Sequence, residues 1–185
     1  EILTTEERVA RVLRDLGVDL TLELVRQLSQ LEFHLQEQQV HLFPDTREVL
    51  QGLKDKGLKL GLVTNTSLTT HRVPEILSID SFFDVLIYSY AVGVRKPAPG
   101  IYLAACENLD VSPGECLFVG DGNDLELEGA RAVGMRAVML GTARHELIRH
   151  EPSASYDDYV ESLSELVSLV ESILAGTVSL STKGE

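Results

Sequence analysis

Apolar residues recur at helical spacing through residues 1–42. A first segment begins at Thr5-Glu6-Glu7 and runs to about Leu16, with Val9, Val12 and Leu13 on one face and Gly17 as its stop. A second helix is predicted from about Leu20 to Gln38, with Leu22, Leu24, Val25, Leu28, Leu31 and Phe33 as its apolar positions. No strand-like run interrupts this stretch.

The pattern changes at HLFPDT, residues 41–46. Asp45 or Thr46 can cap a helix that reaches about Lys56, and Gly57 follows as a C-terminal stop. From there strands and helices alternate. LKLGLV (58–63) reads as a strand, HRVPEIL (71–77) as a short helix, and FFDVLIYSY (82–90) holds the next strand. Pro97 and Pro99 open a helix to about Asn108. CLFVG (116–120) is a strand, 125–133 a helix, MRAVML (135–140) a strand, and about 160–174 a last helix with Leu163, Leu166, Val167, Val170 and Leu174 on its apolar positions. The alternation predicts an α/β fold with a parallel sheet covered by helices on both faces. Three parts are expected: a helical segment over 1–42, the α/β core over 43–175, and a loose tail over 176–185, where GTVSLSTKGE has no periodicity.

Charge narrows the partners. A net charge of −13 disfavours nucleic acid and anionic membrane surfaces, both of which call for basic patches. No apolar run approaches the roughly 18 residues of a membrane span. Cys106 and Cys116 read as buried, reduced thiols, which suits a cytoplasmic location.

In a parallel sheet, ligands bind at the carboxyl ends of the strands, so those loops carry the candidate chemistry. Thr64-Asn65-Thr66-Ser67 follows the first strand and offers hydroxyls and backbone N–H groups to an oxyanion, or else simply caps the next helix. After the second strand, Arg95 and Lys96 stand out in an acidic chain. Pro97 restricts Lys96 to an extended backbone, so its direction is set. This lysine either neutralises a phosphoryl group or carboxylate, or is a solvated loop residue. After the third, Gly120-Asp121-Gly122 places a carboxylate beside two glycines. Asp124, Glu126 and Glu128 follow; Asp124 can equally cap the helix, and Glu128 fits a solvated face. Hard Mg²⁺ wants such oxygen ligands, with water and substrate phosphate completing its shell. HELIRH (145–150) is a decoy for a zinc site: His145 and His150 stand five positions apart, about 140° around a helix, and share no face.

Three loops in this order resemble the haloacid dehalogenase (HAD) superfamily, in particular its phosphatase-type members with a helical (C1) cap. FPDTREVLQGLKDKGLKLGLVTNTS is similar to the lead into the family's second motif, GVRKPAPGIY to its third, and VGDGNDLELEGARAVGM to its fourth. The resemblance covers roughly residues 5–172 and implies a Rossmann-like core with a partial N-terminal helical cap over 1–42. It implies that Thr64 hydrogen-bonds the transferring phosphoryl group with the Asn65 backbone. It further implies that Lys96 balances charge between nucleophile and phosphate, and that Asp121 holds Mg²⁺. The second acid falls five residues on, at Glu126, with Asp124 the alternative at a different offset. The implied substrate is a small phosphorylated metabolite.

One part of the pattern is missing. The family's first motif, Asp-x-Asp after an early strand, supplies the nucleophile and the general acid and base. No Asp-x-Asp occurs in the 185 residues. The resemblance therefore implies that the first core strand lies outside this sequence, and that the sheet is left with two unpaired inner edges. Three expectations follow: a longer form of the chain, a strand-swapped homo-oligomer, or a non-catalytic protein that binds Mg²⁺ or phosphate or assembles with a partner. A metal-independent dehalogenase ranks lower, because it would not need the acidic Gly-Asp-Gly loop.

Overall fold

The computed structural model describes residues 5–19, 21–66, 71–141 and 155–177. Ser67, His145, His150 and residues 178–185 of the tail lie outside the described residues.

Helices α1 (Thr5–Asp15) and α2 (Leu22–Gln39) pack against each other, with Leu13 and Val25 buried. Val12, Leu22 and Leu31, which share the apolar pattern, are exposed instead, so this pair buries only part of its apolar surface. Helix α3 (Thr46–Asp55) follows and buries Val49 and Leu53, four apart on one face. Asp45 precedes it without a capping hydrogen bond; its carboxylate accepts from Ser164 Oγ at 3.0 Å. Gly57 at φ +78° turns the chain into the sheet.

Two parallel ladders form the sheet layer. Strand β1 (Gly61–Thr64) pairs with β2 (Val85–Tyr88), Thr64 opposite Tyr88. Strand β3 (Leu117–Gly120) pairs with β4 (Arg136–Leu140), and β4 with β5 (Asp158–Val160). The two ladders are not hydrogen-bonded to each other. Strand β1 begins three residues later than its apolar pattern suggests. The main chain of Leu60 is taken by Asp84: Leu60 N–H donates to the Asp84 carboxylate at 2.7 Å and Leu60 O accepts from Asp84 N–H at 2.8 Å.

The connecting helices are α4 (Val73–Ile76), α5 (Ser89–Val92), α6 (Pro99–Leu109), α7 (Glu126–Ala132) and α8 (Leu163–Leu174). Helix α6 lies on β1 and β2, α7 lies on β3 and β4, and the two helices touch each other. Val63 of β1 and Phe118 of β3 border one core, with Ile87, Ile101, Tyr102 and Ala105 at its centre. On the other face Leu60, Leu117 and Val119 border a second core, built from α3, α8 and Val138. Both ladders thus share the same two helical layers, and the seam between them falls between β1 and β3. Burial marks the seam. Every residue of β3 is only half-buried, whereas Arg136 to Met139 of β4, which has a partner on each side, are all buried.

The helix expected from about residue 160 starts at Leu163, with Ser162 capping it, because 158–160 form β5. That strand is held by charge as much as by its ladder. Arg136, 2% exposed, pairs with Asp158 at 2.6 Å, and buried Asp157 accepts from Ala137 N–H at 2.9 Å. Both cysteines are free thiols with sulfurs 3.8 Å apart, and burial pushes Cys116 up to about 12. Among the described residues no helix is long and apolar enough to cross a membrane.

Candidate active site

The carboxyl ends of β1 and β3 and the chain between β2 and α6 converge beside the seam. Thr64 is the last residue of β1. Asn65 follows and brackets the main chain of Lys96: its Oδ1 accepts from Lys96 N–H at 2.8 Å and its Nδ2 donates to Lys96 O at 3.1 Å. The Lys96–Pro97 peptide is cis. The Asn65 side chain is therefore spent on the Lys96 backbone. Buried Ser89 steadies the next residue, donating to Thr66 O and accepting from Thr66 N–H, each at 3.0 Å.

Lys96 points inward. Its Nζ lies 2.5 Å from Glu126 Oε2 and 5.8 Å from the centre of the Phe118 ring. The other Glu126 oxygen accepts from Asp121 N–H at 2.9 Å and Gly122 N–H at 3.3 Å. The glutamate thus folds back under the loop that precedes it. Gly120 makes room for it, since a Cβ there would fall on the Glu126 carboxylate. Burial pushes the Glu126 carboxyl above its ordinary range; Lys96 opposes that shift and the nearby Asp121 charge adds to it.

Asp121 stands at the top of the loop. Its oxygens accept from Asn123 N–H at 3.1 Å and Asn123 Nδ2 at 2.8 Å. Asp124 does not cap α7. It has φ +56°, and its Oδ2 accepts from Asn65 Nδ2 at 3.0 Å and pairs with Arg95 Nη2 at 3.3 Å. Glu126 holds the backbone of the Asp121 loop, and Asp124 contacts Asn65 and Arg95. Glu128 is half-buried rather than solvated, and lines a cavity of about 300 Å³ with Arg131, Ala132 and Ser155.

The sequence reading missed Ser89 and Tyr102. Tyr102 is fully buried, donates to Glu126 O at 2.8 Å, and packs edge-on to Phe118 with ring centres 5.3 Å apart. Burial pushes its hydroxyl well above the usual tyrosine range. Ser89 carried one positional signal, a small hydroxyl immediately past an apolar strand. Tyr102 carried none, because at helical spacing it reads as core.

Thr64, Asn65, Lys96, Asp121 and Glu126 are thus brought into one cluster, with Asp124 at its rim. A sequence profile described as a haloacid dehalogenase-like hydrolase matches residues 4–134. The chain belongs to the haloacid dehalogenase-like hydrolases. It is 37% identical over 112 residues to a phosphatase of Mycobacterium tuberculosis, covering 58% of this chain and 51% of that protein. It is 30% identical over 134 residues to the glyceraldehyde 3-phosphate phosphatase of Methanopyrus kandleri, covering 71% and 57% respectively. The chain thus spans little more than half the length of these two relatives. Among solved structures, a HAD phosphatase from Thermococcus onnurineus superimposes with a TM-score of 0.67 at 29% identity, covering 85% of this chain and 68% of that one. Membership of this family of HAD-like hydrolases, and a Rossmann-type α/β core, are therefore established.

The donor set fits Mg²⁺ in part. Among the described residues no three His, Cys, Asp or Glu side chains gather around one point. Asp121 and Glu126 are nonetheless close enough for their charges to oppose each other, and one or two carboxylates are what Mg²⁺ takes when water and phosphate fill its other positions.

Proposed function

We propose that this chain carries the phosphate-binding and Mg²⁺-binding half of a phosphomonoester hydrolase acting on a small phosphorylated metabolite in the cytoplasm. The observation that carries the reading is the Lys96–Glu126 pair at the seam, with Asn65 fixing the Lys96 backbone and Asp121 directly above. Thr64 and Asn65 bind the phosphoryl oxygens, and Lys96 neutralises charge as it passes to the leaving oxygen. Asp121, with Glu126 as the second acid, would hold Mg²⁺, which supplies positive charge to the phosphate when bound.

The nucleophile comes from an extended segment that fills the seam between β1 and β3. Support comes from the half-buried β3 and from the absence of any Asp-x-Asp in the 185 residues. A further stretch of the same protein and a strand exchanged with a second copy in a homo-oligomer would both serve. Helices α1 and α2, which pack on each other and leave Leu22 and Leu31 exposed, are read as part of a cap.

The test is Mg²⁺-dependent hydrolysis of p-nitrophenyl phosphate, with Asp121→Asn and Lys96→Met as controls. Turnover lost in both variants supports the reading. Binding of Mg²⁺ and phosphate without turnover, at every protein concentration and after N-terminal extension, favours a non-catalytic binding protein instead. The missing Asp-x-Asp is the one observation on that side.

A further inference from the structure

Two consecutive cations at the site behave oppositely. Lys96 is 13% exposed and committed to Glu126. Arg95 is 64% exposed and makes a single 3.3 Å contact with Asp124, itself 52% exposed. A guanidinium has five N–H donors in a planar fork, and an exposed ion pair with one long contact is weak. The same Asp124 oxygen also accepts from Asn65 Nδ2 at 3.0 Å. The Arg95 guanidinium therefore stands no more than two hydrogen-bond lengths from Asn65, beside the phosphate-binding residues and turned outward. In a chain of net charge −13, Arg95 and Lys96 are the two cations that this site offers to a multiply charged anion.

We propose that Arg95 is a specificity-determining residue that binds a second anionic group of the substrate. The favoured substrates are then phosphomonoesters carrying another phosphate or a carboxylate a few bonds from the scissile phosphate. Asp124 holds the guanidinium over the site when no substrate is present, and the incoming anion takes its place through a two-point contact that a single carboxylate oxygen at 3.3 Å does not provide. This inference rests on the phosphatase reading and adds to it the substrate class.

The test compares three ligands built on the same three-carbon chain: propyl phosphate, 3-phosphooxypropanoate and propane-1,3-diyl bisphosphate. Both kcat/KM with Mg²⁺ and Kd by calorimetry are measured for the protein and for Arg95→Gln, Arg95→Lys and Asp124→Asn. Arg95→Gln is expected to cut the preference for a ligand with a second anionic group over propyl phosphate by about tenfold, the effect of losing a charge-assisted hydrogen bond. Arg95→Lys keeps part of the preference. Asp124→Asn, which frees the guanidinium, raises it, and that gain is not what a merely misfolded variant would give. A larger effect on the bisphosphate identifies the second group as phosphate, and a larger effect on the phosphooxypropanoate identifies it as carboxylate. A preference unchanged in Arg95→Gln, or lowered in Asp124→Asn, overturns the inference. Absence of turnover with all three ligands, in the N-terminally extended protein as well, counts against the phosphatase reading, while the Kd ratios still decide the role of Arg95.

Discussion

Lys96 Nζ and Glu126 Oε2 lie 2.5 Å apart although thirty residues separate them in the chain, and both side chains are largely shielded from water, at 13% and 7% exposure. The pair joins the chain between β2 and α6 to the start of α7. It also balances charge in a place where burial, with the nearby Asp121 charge, holds the glutamate carboxyl above its ordinary range.

Removing the lysine leaves that carboxylate without its counter-ion. Lys96→Met is expected to cost about 3 kcal/mol, the usual penalty for breaking a buried pair. The loss depends on pH. A carboxyl raised in the folded state contributes stability that is present below its unfolded value, 4.5, and is lost as pH rises through its folded value. Without Lys96 the folded value moves further up, so the gap between variant and parent widens as pH rises through the parent's raised folded value. Urea unfolding from pH 4 to 8 in EDTA reads this directly; a gap that stays constant across that range would show that Glu126 is not the group responsible.

Tyr102 and Gly129 set the height at which Glu126 enters. The Tyr102 hydroxyl donates to Glu126 O at 2.8 Å, and a Cβ on Gly129 would come within 2.6 Å of both that hydroxyl and Pro97 O. Gly129→Ala should therefore destabilise by about 1–3 kcal/mol through overpacking. Tyr102→Phe should cost about 1 kcal/mol by removing one buried hydrogen bond to the Glu126 carbonyl, which keeps its helical partner within α7. Combining the two relieves only part of the strain, because the Pro97 carbonyl remains in the way. Full recovery in the double variant, measured by thermal unfolding, would contradict this packing.

The order of elements was legible because turn and cap chemistry is local. Gly57 and Pro99 mark helix boundaries that the structure keeps within a residue or two. The strand ends could also be searched for chemistry, since a parallel sheet tells where ligands bind, and Lys96, Asp121 and Glu126 came from that rule together with the family resemblance. Strand β5 was not legible. Asp158-Tyr159-Val160 has three residues and an acid, and what recruits it is Arg136, buried within the adjacent strand. The partner of Asp124 was hidden for a different reason. Its contact with Asn65 depends on a left-handed backbone at a non-glycine residue, which neither periodicity nor capping preference encodes. The long-range Lys96–Glu126 contact likewise has no trace in local spacing.

The seam predicts where backbone amides are protected from exchange. Strand β4 is hydrogen-bonded on both sides and its residues Arg136 to Met139 are buried, whereas β1 and β3 each have one ladder partner. Hydrogen exchange should be slowest across 136–140 and faster in 61–64 and 117–120. If a strand from a second copy or a longer chain fills the seam, protection of β1 and β3 rises together to approach that of β4. An increase in protein concentration produces that change only if the strand is exchanged between copies. Equal protection of β3 and β4 in a monomer would mean that the seam is closed by some other contact.

Just past the metal-binding candidate, Asp124 and Leu125 both adopt left-handed backbone, at φ +56° and +55°. Each costs roughly 1 kcal/mol relative to a glycine, because a Cβ crowds the neighbouring carbonyl. Asp124 recovers some of that cost through its bonds to Asn65 and Arg95. Leu125 is 59% exposed, so solvent surrounds most of a large apolar side chain. Leu125→Gly is therefore expected to stabilise the chain by about 1 kcal/mol, the reverse of what a leucine-to-glycine change does in an ordinary helix. Chemical denaturation of the variant measures it. A loss of stability would mean that the leucine is covered in the working protein, and helices α1 and α2, where Leu22 and Leu31 are exposed, would be the first surface to examine for the contact.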